Sequence, residues 1–92
     1  MTTPNIGEQP DYTPIDTVET SLNDIFSFIR DQVDEIVTSD KSDEEKNRLI
    51  RSKVSRFNEA AMRAIDKMTV DNKNNIEPMR ESMEKELLAY LI

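Results

Sequence analysis

The sequence predicts an all-α protein: an antiparallel helical hairpin followed by a third, C-terminal helix, with an N-terminal arm in front. Three observations carry that prediction. Apolar residues recur in steps of four and three along three separate stretches, the spacing of one helical face. Turn chemistry separates those stretches. Apolar residues make up 36 % of the chain and charged residues 34 %, a balance that suits soluble, amphipathic helices.

Residues 1–16 hold Pro4, Gly7, Pro10 and Pro14 and no basic residue, so they read as an arm, flexible unless something docks it. Tyr12 stands out there, either pinning the arm to the core or stacking on a ligand. Residues 17–92 form a single helical domain. The first helix is expected over about 17–38, with Val18, Leu22, Ile25, Phe26, Ile29, Val33, Ile36 and Val37 along one face. Asp16 or Thr17 can cap it, and Glu19 suits the first turn. Phe28 falls off that line, so it is a second contact surface or half exposed.

Ser39-Asp40-Lys41 makes the turn. Ser42 and Glu45 then have the spacing of a capping box, which opens a second helix over about 43–68. Its stripe is Ile50, Val54, Phe57, Ala61, Ala64, Ile65 and Met68, and the small Ala60, Ala61 and Ala64 let another helix approach closely. A short connection between two amphipathic helices makes them antiparallel. Asp71 to Asn75 is polar and rich in turn formers, where the second helix should end or kink. Glu77-Pro78 suits a new start, giving a third helix over about 77–91 with Met79, Met83, Leu87, Tyr90 and Leu91 inward. The methionines read as core or interface filler.

Composition removes most enzyme chemistry. The chain has no Cys, His or Trp and a single glycine, Gly7. That excludes Cys/His zinc sites, thiol nucleophiles, Ser-His-Asp triads, disulfide frameworks and glycine-rich phosphate loops. No nucleophile–base pair and no metal set is legible, so the expectation is a non-enzyme without cofactor or metal. The first residues lack the basic-then-apolar pattern of a secretory signal, and the longest apolar run, residues 87–92, is far short of the roughly 20 residues of a membrane span. A cytoplasmic location without membrane contact is the expectation.

Nineteen acids against 12 bases give a net charge of −7, which argues against general nucleic-acid binding. Eight of the 12 bases nevertheless lie in residues 39–70: Lys41, Lys46, Arg48, Arg51, Lys53, Arg56, Arg63 and Lys67. Two readings follow. One is a solvated face paired with acids of the first helix. The other is a set of guanidinium groups that grips phosphate, for which Arg48, Arg51, Arg56 and Arg63 qualify better than the lysines. The acids Asp31, Asp34 and Glu35, and Asp43 to Glu45, lie off the apolar stripes and read as solvated.

The arm Asp11-Tyr12-Thr13-Pro14 and the run Ser55-Arg56-Phe57-Asn58-Glu59-Ala60-Ala61-Met62 make residues 11–68 resemble a known family. These are the small phage-encoded helical-hairpin proteins that sequester the cyclic oligonucleotide signals of bacterial CBASS immunity. Thr13 stands where that family commonly has His, and Arg63 where it has Trp. The resemblance implies a viral protein, acting in the host cytoplasm, that binds a cyclic di- or trinucleotide without cleaving it. Residue by residue, the resemblance carries over to Tyr12, Pro14, Arg56, Glu59, Ala60 and Met62. On the binding reading, Tyr12 would stack on a base, with Thr13 and Pro14 in the same element, and Arg56 with Arg63 would meet phosphates. The alternative is a helical adaptor or inhibitor that engages a host or virion protein through apolar faces, or an acidic mimic of DNA. Self-association is expected on either reading. Leu87 to Ile92 is apolar all round, and Phe28 adds a second apolar group off its stripe, so an even-numbered homo-oligomer would cover them.

Overall fold

Two stripes of matching period have one economical arrangement: each covers the other. The computed structural model describes residues 13–92 and contains three helices and no strand among them. They are α1 (Ile15–Val37), α2 (Asp43–Ile65) and α3 (Val70–Leu88). Val18, Leu22, Phe26, Ile29, Val33 and Ile36 of α1 are buried against Ile50, Val54, Phe57, Ala61 and Ile65 of α2. The Phe26 and Phe57 rings meet edge to face at 6.2 Å, a favourable orientation for two aromatic quadrupoles. The Arg30 guanidinium lies 5.5 Å from the Phe26 ring centre, adding a cation–π contact. α3 packs on both helices of the hairpin.

Helix α1 begins two residues before the expected start, and neither Asp16 nor Thr17 is its cap. Extended Pro14 precedes it, and the Pro14 carbonyl accepts from Thr17 N at 3.1 Å and Val18 N at 3.2 Å. Asp16 therefore lies inside the first turn, where its charge faces the helix dipole. At the other end α1 carries no basic residue in its last turn. Lys46 of α2 supplies the missing cation, its Nζ donating to the Val37 carbonyl at 2.8 Å. The Ser42 cap is present, its hydroxyl accepting from Glu45 N at 3.2 Å. The reciprocal half of the box is not the contact Glu45 makes: its carboxylate turns to Arg48 at 3.4 Å.

The third helix differs most from expectation. α2 ends at Ile65, three residues early, and buried Met68 sits in the connection. α3 then starts at Val70 rather than near Glu77, with Thr69 Oγ1 accepting from Asn72 N at 3.2 Å. The polar stretch Asp71 to Asn75 is helical, and Pro78 lies within the helix. An interior proline removes one ladder bond and crowds the preceding turn. Burial outweighs this: Ile76, directly after the stretch read as a turn, is 1 % exposed. A half-buried network also ties this helix to α2. Arg80 Nη1 donates to Asn58 Oδ1 at 2.7 Å and to Glu84 Oε1 at 3.1 Å, and Asn58 Nδ2 donates to Glu84 Oε2 at 3.1 Å.

α3 also stops at Leu88, short of the expected 91. Beyond it the chain tightens, Tyr90 N reaching the Leu87 carbonyl and Leu91 N the Leu88 carbonyl, both at 3.1 Å. Asn47 of α2 holds Ile92 by both backbone groups, at 2.8 and 3.2 Å. The closing segment is thus not apolar on every side of a helix: Leu87 is buried, Tyr90 and Leu91 are half-buried, and Leu88 and Ile92 remain exposed. The Asp34 carboxylate, accepting a hydrogen bond from the Tyr90 phenol, pushes that phenol above its ordinary pKa. Among the described residues no helix is long and apolar enough to cross a membrane.

Candidate functional site

Each helix of the hairpin carries a second line of residues beside its buried stripe. On α1 these are Asp24, Phe28 and Gln32, one per turn. On α2 they are Lys53, Arg56, Glu59, Ala60 and Arg63, spaced by three and four. Antiparallel packing sets the two lines facing across the seam between α1 and α2. There they enclose an open groove of about 650 Å³, floored by half-buried Ile25 and buried Ile29. Ala60 is what leaves room, since a larger side chain on that turn would fill the space.

The groove is chemically mixed. Phe28 is 63 % exposed, so the face of its ring is open to the groove. Arg56 and Arg63 are exposed and Lys53 is half-buried beside it. The ion pairs formed among the described residues are Arg48–Glu45, Arg80–Glu77 and Arg80–Glu84. None joins a base of α2 to an acid of α1, so the reading of the basic face as paired with the first helix is corrected. Glu59 stands three residues after Arg56 and four before Arg63, both spacings at which helical ion pairs form. It pairs with neither within 4 Å in this conformation. Three cations and two carboxylates therefore line one apolar-floored groove, each open to an incoming ligand.

A smaller cavity of about 290 Å³ continues the seam toward the α1–α2 turn, sharing Gln32 and Lys53 and adding Ser39 and Lys41. Arg48 and Arg51, the other candidates for phosphate, line neither cavity. Arg48 is turned to Glu45.

The residues proposed from sequence divide in three. Arg56 and Arg63 are brought together on one wall of the groove. Thr13 and Pro14 do not line it; Thr13 N donates to the Lys67 carbonyl at 3.1 Å, which docks the start of α1 on the far end of α2. Tyr12, the expected stacking ring, lies outside the described residues. Phe28 is the aromatic ring that the groove does contain, and its position off the α1 stripe was the signal for it. Glu59 belongs to the run that carries the family resemblance; Lys53, Gln32 and Asp24 carried no such signal, because charged and amide residues on a helix flank look alike until the facing helix is placed. Among the described residues no three carboxylates gather as a metal site requires.

No protein-family model matches this chain, and neither does any curated protein or solved structure.

Proposed function

We propose that this protein is a non-catalytic module that binds and sequesters a phosphate-bearing nucleotide. The observation that supports this is the exposed Phe28 ring sharing one groove with Lys53, Arg56 and Arg63, none of them paired to a carboxylate among the described residues. A planar base gains by stacking on an aromatic face, and guanidinium groups match phosphate oxygens bidentately. The ligand class is the cyclic oligonucleotide, on the resemblance of residues 11–68 to the phage proteins that remove such signals in the host cytoplasm. Sequestration needs tight binding and no turnover, and the residue types present suit that role.

Thermal melting with a panel of cyclic di- and trinucleotides tests the proposal. A ligand that binds only the folded chain raises its melting temperature by mass action. Arg56→Ala and Arg63→Ala should each weaken binding by about tenfold, the loss of roughly one charge-assisted hydrogen bond, with the ligand-free melt unchanged. No shift with any of these nucleotides at saturating concentration moves the assignment to a helical adaptor, for which exposed Met62, Val70, Leu88 and Ile92 are the available apolar contacts.

Self-association is part of the same proposal. Leu88 and Ile92 stay exposed at one end of the bundle, and a symmetric partner would cover them. Sedimentation equilibrium should give a mass that is an even multiple of 10.7 kDa, falling toward one copy in a Leu88→Ser/Ile92→Ser variant. A full-length monomer at high micromolar concentration would end that part of the proposal.

A further inference from the structure

Carboxylates are out of place in a groove built only to hold phosphate. Glu59 nonetheless occupies the turn between Arg56 and Arg63, faces the same groove, and forms an ion pair with neither. Its neighbour Ala60 leaves space at that level, and the exposed Phe28 ring stands on the opposite wall. A ring stacked on Phe28 would therefore present its edge toward a carboxylate flanked by two cations.

The nucleobases differ sharply in what they offer such an acceptor. Guanine carries N1–H and the N2 amino group side by side, two donors that match the two oxygens of one carboxylate. Adenine carries an unprotonated N1 beside its N6 amino group, so one carboxylate oxygen would face a lone pair. Guanine O6 in turn needs a donor, and the half-buried Gln32 amide or the Lys53 ammonium lining the same groove can supply it.

Resting on the nucleotide-binding reading above, we infer that Glu59 selects guanine, so that the preferred ligand is a guanine-bearing nucleotide with its phosphates on Arg56 and Arg63. Arg56 and Arg63, which flank Glu59 on the same wall, offset its repulsion of the phosphates. Asp24, the other carboxylate of the groove, stands on the same helix as Phe28, one turn before it, and not on the wall that carries Arg56 and Arg63.

Titration calorimetry with cyclic di-GMP and cyclic di-AMP decides the matter, using the full chain, Glu59→Gln and Asp24→Asn. Glu59 is exposed, so Glu59→Gln should fold, and circular dichroism confirms that for each variant. The unsubstituted chain should prefer the guanine ligand by about tenfold or more, the discrimination one bidentate contact provides. Glu59→Gln should bring the two affinities to within about threefold by weakening the guanine ligand alone, and Asp24→Asn should keep the preference. Equal affinities for the unsubstituted chain, an equal loss of both ligands in Glu59→Gln, or loss of the preference in Asp24→Asn instead, each overturns the role of Glu59 while leaving nucleotide binding intact. Failure of both ligands to bind overturns the nucleotide reading itself.

Discussion

Phe57→Ala should destabilise the protein by about 3–5 kcal/mol, the cost of emptying an aromatic-sized volume in a close-packed interior. Phe57 is 0 % exposed, sits midway along α2 and meets Phe26 edge to face, so both the transfer term and the ring contact are lost. A domain of this size has only about 5–15 kcal/mol in total. The melting temperature should fall by roughly 12 °C or more, and the variant should be partly unfolded at 37 °C. Phe28→Ala provides the control. The same ring is removed from a site that is 63 % exposed, so the melt should move by less than about 0.5 kcal/mol. Urea titrations followed by circular dichroism compare the two directly. Equal losses in both variants would mean that the α1–α2 interface is not the core.

Arg80→Ala should cost about 2 kcal/mol, the second largest effect, and most of it should be felt in α3. The Arg80 side chain is only 12 % exposed and serves Glu77, Glu84 and Asn58 at once. Removing it leaves three polar partners half-buried, with water reaching the two carboxylates in part, which keeps the loss below that of a fully buried pair. Amide exchange should accelerate along α3 while the α1–α2 amides keep their protection; uniform acceleration would mean that α3 and the hairpin unfold as one unit. The same network sets a pH dependence. The Asn58 amide, and after it Arg80, hold the Glu84 carboxyl below its ordinary range against the opposing pull of burial. A carboxyl whose folded pKa is depressed stabilises fully above its unfolded value, about 4.3, and loses that contribution as pH falls through the lower folded value. Denaturation curves at pH 7 and pH 3 should therefore lie further apart for the unsubstituted chain than for Glu84→Gln. Curves equally spaced in the two proteins would show that Glu84 titrates as an unfolded carboxyl does.

The all-α class, the antiparallel hairpin and most of the core were legible in the sequence. Of the stripe positions between Val18 and Ile36 on α1 and between Ile50 and Ile65 on α2, all but half-buried Ile25 and Ala64 are buried, as their spacing requires. Helical periodicity is a local property: which residues share a face follows from about 100° of rotation per residue, whatever the helix later packs against. Ser42 as a cap and Phe28 as an outlier are legible for the same reason, since each depends on a handful of neighbours.

Tertiary structure alone decided the rest. Asp71, Asn72, Asn74 and Asn75 are individually poor helix residues and Pro78 a worse one, so local propensity places a break there. Burial of Ile76 and the Arg80–Asn58–Glu84 network outweigh that preference, and neither exists until α3 lies on α2. The Lys46 contact that closes the end of α1, and the Asn47 contacts that hold Ile92, likewise join residues whose chain positions give no hint of contact. The groove belongs to this second group. Arg56 and Arg63 could be placed on one side of a helix from their spacing, yet the ring, amide and carboxylate that share the space with them come partly from α1. Which flank of α1 faces which flank of α2 is set by how the two apolar stripes interlock, and that packing is a property of both helices together.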